Sequence, residues 1–267
     1  MIRCPCGCIP RLVRRGLIAS ALSLAVFPSR AQTSADPGLV DDVVTANRIL
    51  YDQGVVDGFG HISARHDKDA GRYLLARSMA PALVTAADIM EFDLDSNPID
   101  ARGRSPYLER FIHGEIYKAR PDVMAIVHSH SPAVLPFADT NVPLLPMNHI
   151  AGFLGSGPPV FEIRTVAGDE TDMLIRSNII GQALAKTLGP HPVALMRGHG
   201  SVAAAQSVKH VVFRAVYTEV NARTEAEALK LGKPTFLNEK EAAAAMKTND
   251  ALVERPWALW KQRVALK

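Results

Sequence analysis

The chain has 267 residues, of which 48% are hydrophobic and 21% charged, a composition typical of soluble globular proteins. This length can bury a substantial core in one large domain or two small ones. The formal net charge of +3 comes from residues 1–31, which hold five arginines and no acidic residue, so the remainder carries −2. A nucleic-acid partner is therefore not expected, because the part of the chain that would fold has no basic excess.

Residues 1–31 have the features of an export signal. A basic start is followed by an apolar run over residues 17–27 and by small residues at Ser29 and Ala31, the pattern of a cleavage site. Arg14 and Arg15 resemble the twin-arginine signal of proteins that are exported already folded. The run is too short for a stable membrane anchor, so we expect a periplasmic or secreted protein. The alternative is a mis-called start codon, which would make the protein cytoplasmic.

The cysteines restrict the kind of metal site that the chain can build. All three, Cys4, Cys6 and Cys8, lie in the predicted signal, so the mature chain would contain none. The folded part then has neither a disulfide nor a thiolate ligand. Any metal site must use histidine, aspartate and glutamate.

Residues 32–38 are predicted to be a linker, and residues 39–267 a single domain. Apolar residues at helical spacing predict a helix after the linker, and a glycine-rich turn at residues 58–60 leads into an alternating hairpin. Ser105 and Pro106 predict a helix start, since serine is a favoured N-cap and proline fits the first turn. The predicted elements in this half are helix 39–52, strands 61–66, 72–78 and 91–94, and helix 107–119.

The second half of the chain alternates short apolar strands with helices. Two apolar runs, 124–127 and 193–196, are predicted to be buried strands, and each ends in a histidine-containing turn. The other predicted elements are strand 202–205 and helices 133–138, 173–188, 208–231, 239–246 and 255–265.

His128 and His130 follow the first of these apolar strands. Residues two apart in a strand project from the same face, so the two imidazoles can point at one place. Two neutral imidazoles at a strand end are a suitable partial ligand set for Zn²⁺, Mn²⁺ or Fe²⁺. The alternative is a pair of hydrogen-bonded surface histidines with no ligand.

His199 follows the second apolar strand, between Gly198 and Gly200. The two glycines allow the sharp backbone turn that would give the ring access to a cleft. Glu109 lies in the first turn of the predicted helix 107–119, so its carboxylate would face that helix mouth. Three imidazoles and one carboxylate form a four-ligand metal site with room for substrate oxygens.

With these motifs in this order, the sequence resembles the class II aldolase/adducin family over roughly residues 39–231. The family's glycine-to-arginine strand motif matches Gly60 to Arg65. The resemblance implies an α/β fold with a central, largely antiparallel sheet covered by helices on both sides. It also implies a homotetramer with active sites between subunits, and one divalent metal ion per subunit. The implied ligands are His128, His130, His199 and Glu109, with Glu109 also acting as acid and base.

Several positions depart from the sugar-phosphate aldolases of that family. His61 replaces an asparagine, residues 76–79 replace a threonine- and glycine-rich loop, and Ile150 stands where the aldolases have a proton-donating tyrosine. A phosphorylated aldol substrate is therefore not expected. The pattern is instead similar to the decarboxylase branch, whose members act on carboxy-hydroxymuconate semialdehyde, dihydroxyphthalate or hydroxypyridine dicarboxylate.

The decarboxylase resemblance implies roles for further residues. A divalent metal, with zinc or manganese favoured over iron or cobalt, would stabilise the electron pair left when CO₂ departs, and His61 or Glu109 would supply the proton. Arg77 with Ser78 would pair with a second substrate carboxylate, since a guanidinium matches a carboxylate. The substrate-binding residues that the resemblance predicts are Ser63, Arg77, Ser78 and Tyr217. The alternatives are a surface role for Arg77 and a core role for Tyr217, while His113, His149 and His210 are interpreted as structural.

The sequence is also compatible with two other functions. An aldolase or epimerase acting on a non-phosphorylated hydroxy-carbonyl compound would use the same ligands but would release an aldehyde rather than CO₂. A non-catalytic module, the role that the fold has in adducin, would be expected to lose ligands. This chain keeps all four, so the favoured interpretation is a metal-dependent lyase acting on a small carboxylate.

Overall fold

A computed structural model describes residues 34–266 and places a seven-stranded sheet at the centre of the fold. The strand order is β3-β2-β1-β4-β7-β6-β5, and every neighbouring pair is antiparallel except β5 and β6. The strands are β1 (His61–Arg65), β2 (Arg72–Ala76), β3 (Ile89–Asp93), β4 (Ala125–Ser129), β5 (Val160–Phe161), β6 (Val193–Met196) and β7 (Gly200–Ala205).

Eight α-helices accompany the sheet in the described part of the chain, with short 3₁₀ turns between them. They are α1 (Pro37–Asp52), α2 (Phe111–Ala119), α3 (Leu135–Ala138), α4 (Arg164–Ala167), α5 (Asn178–Leu188), α6 (Val208–Leu231), α7 (Glu239–Asp250) and α8 (Glu254–Ala265). None of the helices within residues 34–266 combines the length and apolarity that a bilayer span requires.

Both faces of the sheet are buried, and β4 shows why its sequence is a continuous apolar run. Ala125 and Val127 pack into one cluster with residues of α1 and α6, whereas Ile126 packs into a second cluster with residues of α2 and α5. A strand covered on both sides needs apolar residues at every position. Burial of a valine or isoleucine side chain such as Val127 or Ile126 stabilises the fold by about 1.5–3 kcal/mol. The predicted fold, a largely antiparallel sheet covered by helices on both sides, is confirmed.

The predicted linker is shorter than expected. Pro37 begins α1, and the Asp36 side chain accepts a hydrogen bond from the Gly38 N–H as the N-cap. Proline at the first helical position has a preset φ and lacks only an N–H that would be unpaired there. Pro37 therefore marks the helix start rather than linker. The predicted export signal, with its three cysteines, lies outside the described residues.

Two predicted helices begin later than the sequence suggested. The segment at Pro106 forms an isolated β-bridge with Arg77, so the α-helix begins only at Phe111, after a 3₁₀ turn over Leu108–Arg110. The helix predicted from Met173 begins at Asn178, where Ser177 caps it, and Met173 itself has a φ of +70°. Because both α-helices begin late, the segments before them are not helical, and both segments contribute to the site described below.

Glu225 on α6 gives a pH-dependent test of the core. Its Oε2 accepts a hydrogen bond from the Leu145 N–H at 2.9 Å, whereas its Oε1 is buried with no hydrogen-bond partner among residues 34–266. Burial raises the pKa of this carboxyl to about 7, above the ordinary value of 4.5. Between these values the folded chain holds more protons than the unfolded chain, so stability falls as pH rises.

Glu225→Gln is therefore expected to reduce the fall in melting temperature between about pH 5 and pH 8, because glutamine cannot ionise. The measurement is the melting temperature across this range. Glu227→Gln, on the exposed side of the same helix, controls for the loss of one negative charge. Parallel curves for Glu225→Gln and the unsubstituted protein would contradict the expectation.

Candidate metal centre and active site

The ends of adjacent strands place the two histidines of the His-x-His motif. β4 lies between β1 and β7, and His128 is opposite His61 on β1 and Val202 on β7. His130 follows one residue beyond the strand end. His128 Nδ1 lies 3.1 Å from the Ser201 carbonyl oxygen and donates to it, which leaves Nε2 with a free lone pair. The ring is therefore oriented as a metal ligand requires.

His199 lies in the tight turn between β6 and β7. Gly198 has a φ of +63°, and its N–H donates to Asp139 Oδ1 at 2.6 Å, which holds the turn in place. A Cβ at Gly200 would lie 2.1 Å from the Ser129 carbonyl oxygen, so only glycine allows β7 to approach β4 this closely. Both nitrogens of His199 are buried, and neither makes a well-aligned hydrogen bond within residues 34–266, although Nε2 lies close to the Glu109 carboxylate. A buried imidazole in this state is suited to bind an ion.

Glu109 reaches the same place from the 3₁₀ turn before α2. Its side chain is buried, and Oε1 accepts a hydrogen bond from the Ile175 N–H at 3.0 Å. The Ile175 N–H is available because α5 begins only at Asn178. The late starts of α2 and α5 thus fix the direction of this carboxylate.

The four side chains bring their ligand atoms together. One ligand atom from each of Glu109, His128, His130 and His199 lies within 4.8 Å of all the others. His128 Nε2 is 3.1 Å from His130 Nε2 and 3.4 Å from Glu109 Oε2, and His199 Nε2 is 3.3 Å from Glu109 Oε1. Ligands bonded to a tetrahedral zinc ion at ~2.0–2.1 Å lie about 3.3 Å apart. The residues present therefore fit a divalent metal.

The electrostatics of the cluster suit the same use. Burial, together with His128 and His199, lowers the pKa of His130 to about 4, so its imidazole is neutral near pH 7. Burial raises the pKa of the Glu109 carboxyl, but His128 and His199 lower it by more, so it stays ionised. Neutral imidazoles and an ionised carboxylate are the forms that bind metals.

A pocket of 440 Å³ opens beside this cluster. Glu109 and His130 belong to both the cluster and the pocket wall, and His61 lines the pocket next to them. The wall is mainly apolar, with polar groups from Ser78 and Tyr107. The remaining lining residues are Gly58, Phe59, Gly60, Met79, Ala80, Leu108 and Leu174. This composition suits a flat, partly apolar molecule that presents oxygen atoms to the cluster.

The four predicted substrate-binding residues differ in whether they line the pocket. Ser78 lines the pocket, but Arg77 does not, and the Arg77 guanidinium donates to Asp88 Oδ1 at 2.7 Å. In the structure the Arg77 guanidinium therefore forms an ion pair within the chain, and its pairing with a substrate carboxylate stays a prediction. Asp88 lies in the 3₁₀ turn over Ala86–Asp88, where its other oxygen accepts from the Thr85 N–H, and it could not be recognised as the partner from spacing alone.

Ser63 and Tyr217 also lie away from the pocket wall. Ser63 is fully buried, with its hydroxyl bonded to His113 and Tyr117, so the predicted direct contact with substrate is corrected to a position behind His61. Tyr217 packs against Phe213 and Trp260 on the opposite side of the sheet. Tyr217 therefore does not reach the pocket of its own chain, which leaves only its predicted contact with a neighbouring subunit.

His113 was interpreted as structural, but it contacts the site. His113 Nε2 lies 2.7 Å from His61 Nδ1, and its ring stacks on Tyr73. The available signal was its spacing on α2: His113 and Tyr117 are four residues apart, so both face the sheet beneath His61.

A family comparison agrees with this geometry. Residues 41–226 match the model of the class II aldolase and adducin N-terminal domain. The chain belongs to the class II aldolase and adducin family. The match contains the three histidines and the glutamate of the cluster, and the expected family membership is confirmed.

Within this family the chain is similar to proteins named as decarboxylases. It is 33% identical to decarboxylase tropJ of Talaromyces stipitatus, over 83% of this chain and 92% of the relative. It is 30% identical to 3,4-dihydroxyphthalate decarboxylase of Arthrobacter keyseri, over 73% of this chain and 80% of the relative. These relatives support a carbon–carbon lyase.

A solved class II aldolase shows the same fold. The structure of L-fuculose 1-phosphate aldolase from Glaciozyma antarctica superposes with a TM-score of 0.71 at 21% identity. The superposition covers 85% of this chain and 88% of the aldolase. At this identity the likeness establishes the fold alone.

Proposed function

We propose that the protein is a metal-dependent decarboxylase of hydroxylated aromatic or ring-opened dicarboxylates. The observation that carries the proposal is the cluster of Glu109, His128, His130 and His199 at the wall of the pocket. A divalent ion held there would face any molecule that the pocket binds. The decarboxylase relatives support the same class of reaction.

The donor set narrows the choice of metal. Three imidazoles and one carboxylate suit zinc or manganese, and iron(II) and cobalt(II) are further candidates. When bound, the ion would act as a Lewis acid toward the negative charge that develops on the substrate.

Glu109 is the proposed acid and base. Its carboxylate would accept the proton of a substrate hydroxyl as the substrate binds. When the carbon–carbon bond breaks, its electron pair stays on the substrate carbon and CO₂ leaves. Glu109 would then return its proton to that carbon, so hydrogen replaces the carboxylate and the substrate oxygen is left as an oxyanion, which takes up a proton from water as the product leaves.

The pocket wall would hold the body of the substrate. Phe59, Met79, Leu108 and Leu174 offer apolar surface to a ring and exclude water from the reacting carbon. The Tyr107 hydroxyl donates to the Met79 carbonyl oxygen, and burial raises its pKa to about 12. Tyr107 therefore stays protonated and holds the wall together, while Ser78 adds a hydroxyl group to the wall.

The pocket rim supports the proposed tetramer with sites between subunits. Phe59 and Leu108 are 70% and 60% exposed at the pocket, and exposed apolar side chains at one place are typical of an interaction surface. Light scattering of the purified protein gives the mass that tests this assembly. We also propose export by residues 1–31, which N-terminal sequencing of the mature protein would test.

The reaction is tested by product analysis of the metal-loaded protein. The substrates are a small panel of hydroxylated aromatic and muconate-type dicarboxylates, together with non-phosphorylated hydroxy-carbonyl compounds. We expect CO₂ from at least one dicarboxylate and no aldehyde. Aldehyde formation without CO₂ would replace the proposal by an aldolase, and metal binding without either product would overturn the substrate class.

The Arg77–Asp88 pair gives a prediction about substrate recognition. Because its guanidinium is already paired, Arg77→Met is expected to change KM by less than about fivefold, the range of a partly exposed ion pair. Ser78→Ala removes a hydroxyl from the pocket wall and is expected to raise KM by about tenfold. Steady-state kinetics on the best dicarboxylate measures both. A larger rise in Arg77→Met than in Ser78→Ala would restore direct carboxylate binding by Arg77.

A further inference from the structure

A buried chain of hydrogen bonds runs from α2 to the pocket. The Tyr117 hydroxyl lies 2.8 Å from Ser63 Oγ, which lies 2.6 Å from His113 Nδ1. His113 Nε2 in turn lies 2.7 Å from His61 Nδ1. All four side chains are buried, and His61 lines the pocket. The chain therefore connects an interior tyrosine to a ring at the candidate active site.

The protons available to these four side chains fix the direction in which the hydrogen bonds are donated. Among the described residues, the Tyr117 hydroxyl has Ser63 as its one hydrogen-bond partner, so its proton must go to Ser63. Ser63 then donates to His113 Nδ1, and a neutral His113 carries its proton on Nε2 and donates to His61 Nδ1. His61 must then carry its own proton on Nε2, the nitrogen that is left for the pocket.

If the hydrogen bonds ran in the opposite direction, from His61 to Tyr117, the Tyr117 hydroxyl would be left without an acceptor. If His61 donated from Nδ1, His113 would donate to Ser63, and Ser63 would donate to Tyr117. The Tyr117 proton would then have no acceptor in a buried place, where an unsatisfied donor is costly. A positively charged His61 would also carry a proton on Nδ1, so it would impose the same reversal.

We propose that Tyr117, Ser63 and His113 hold His61 as a neutral imidazole whose Nε2–H donates a hydrogen bond to a substrate oxygen. His61 then stabilises the negative charge on that oxygen, as a donor of an oxyanion hole does. This inference rests on the proposed decarboxylase function for the identity of the oxygen. It makes the other three side chains positioning residues, since they act through His61.

The same series of hydrogen bonds makes His61 an unfavourable source of the proton that is returned to the substrate carbon. If His61 gave up its Nε2 proton, each donor behind it would have to pass a proton forward, and Tyr117 would be left as a buried phenolate. Burial raises the pKa of the Tyr117 hydroxyl, so that end state is unfavourable. Proton return to carbon is thereby left to Glu109.

The tautomer of His61 can be determined by nuclear magnetic resonance, without any enzymatic turnover. Histidines labelled with ¹⁵N in the full chain, loaded with diamagnetic zinc, report which ring nitrogen carries the proton, and His61→Gln identifies the His61 signals among the nine histidines. We expect a bare Nδ1 and a protonated Nε2. A protonated Nδ1 on His61 would overturn the proposal. This readout does not depend on CO₂ release, so it separates failure of the tautomer from failure of the proposed reaction.

Two tyrosines provide a matched pair of variants. Tyr117→Phe removes the donor that starts the chain, so the His61 tautomer is expected to become mixed and kcat to fall about tenfold, with little change in KM. Tyr73→Phe makes the same change in a neighbouring buried tyrosine, whose hydroxyl bonds to Ser96 and the Arg110 carbonyl instead. Tyr73→Phe is expected to change neither quantity. Equal tautomer signals and equal kcat in the two variants would overturn the role of Tyr117.

Discussion

His199→Ala is expected to abolish metal binding and CO₂ release together, with kcat lower by at least about 10³-fold. Neither buried nitrogen of His199 makes a well-aligned hydrogen bond within the described part of the chain, and Nε2 is 3.3 Å from Glu109 Oε1, a distance that suits two ligands of one ion. Removal of one imidazole takes away one of the four ligands, and the remaining three are placed for a four-ligand site rather than for an ion of their own, so we expect the ion to be lost. Elemental analysis of the purified variant and its rate of CO₂ release measure the two effects.

His191→Ala is the control for this variant. His191 precedes β6, whereas His199 follows it, so the two changes remove an imidazole from opposite ends of the same strand. His191→Ala is expected to keep one ion per chain and near-normal activity. An unchanged metal content in His199→Ala would contradict the assigned ligand set.

Glu109→Gln is expected to keep the metal at saturating ion concentration but to lower kcat by about 10³-fold. The amide oxygen can still accept from the Ile175 N–H and approach the metal, but it cannot take up and return a proton. General acid–base catalysis contributes about 10²–10⁴-fold, which sets the expected size. Metal content and single-turnover CO₂ release, measured on the same sample, separate binding from chemistry.

Glu115→Gln on α2 tests whether the effect belongs to the site. The Glu115 carboxylate is also buried, but it accepts hydrogen bonds from Lys118 and Asn178 rather than facing the cluster. The activity of the Glu115→Gln variant is expected to stay within about twofold of that of the unsubstituted protein, as is usual for a change away from the reacting atoms. Its melting temperature is measured alongside to show that the variant is folded. A Glu109→Gln variant with activity within tenfold of normal would contradict the acid and base role.

The positions of the histidines could be predicted because short local patterns determine them. An apolar run covered on both faces must be a central strand, and His128, His130 and His199 stand at the ends of two such runs. The glycines beside His199 allow the close approach of β7 to β4. The placement of Glu109 at the same cluster came from the family resemblance, because its contact with Ile175 spans 66 residues of sequence.

The roles of Ser63 and Arg77 could not be predicted from the same patterns. All five residues of β1 are buried, so alternation along the strand does not distinguish the pocket side from the core side. Ser63 was predicted to bind substrate on the family resemblance, and the strand pattern gave no sign that it lies behind His61. Arg77 is paired with Asp88, and only the folded chain shows which of several acidic residues is its partner.

Helix starts were predicted less well than helix existence. Ser105 and Pro106 form a good local start signal, but the Ser105 carbonyl accepts from the Ser78 N–H, and Pro106 forms a bridge with Arg77. These tertiary contacts hold the segment extended and override its local preference. The consequence is functional, because the displaced start places Glu109 in a 3₁₀ turn at the pocket.

We propose that decarboxylation depends on a metal ion held by Glu109, His128, His130 and His199. The most direct test is CO₂ release from the best dicarboxylate substrate by chelator-treated protein, before and after one equivalent of zinc or manganese is added. We predict no release from the metal-free protein, recovery on addition of metal, and no recovery in His199→Ala. Undiminished CO₂ release from protein shown by elemental analysis to contain no metal would contradict the claim.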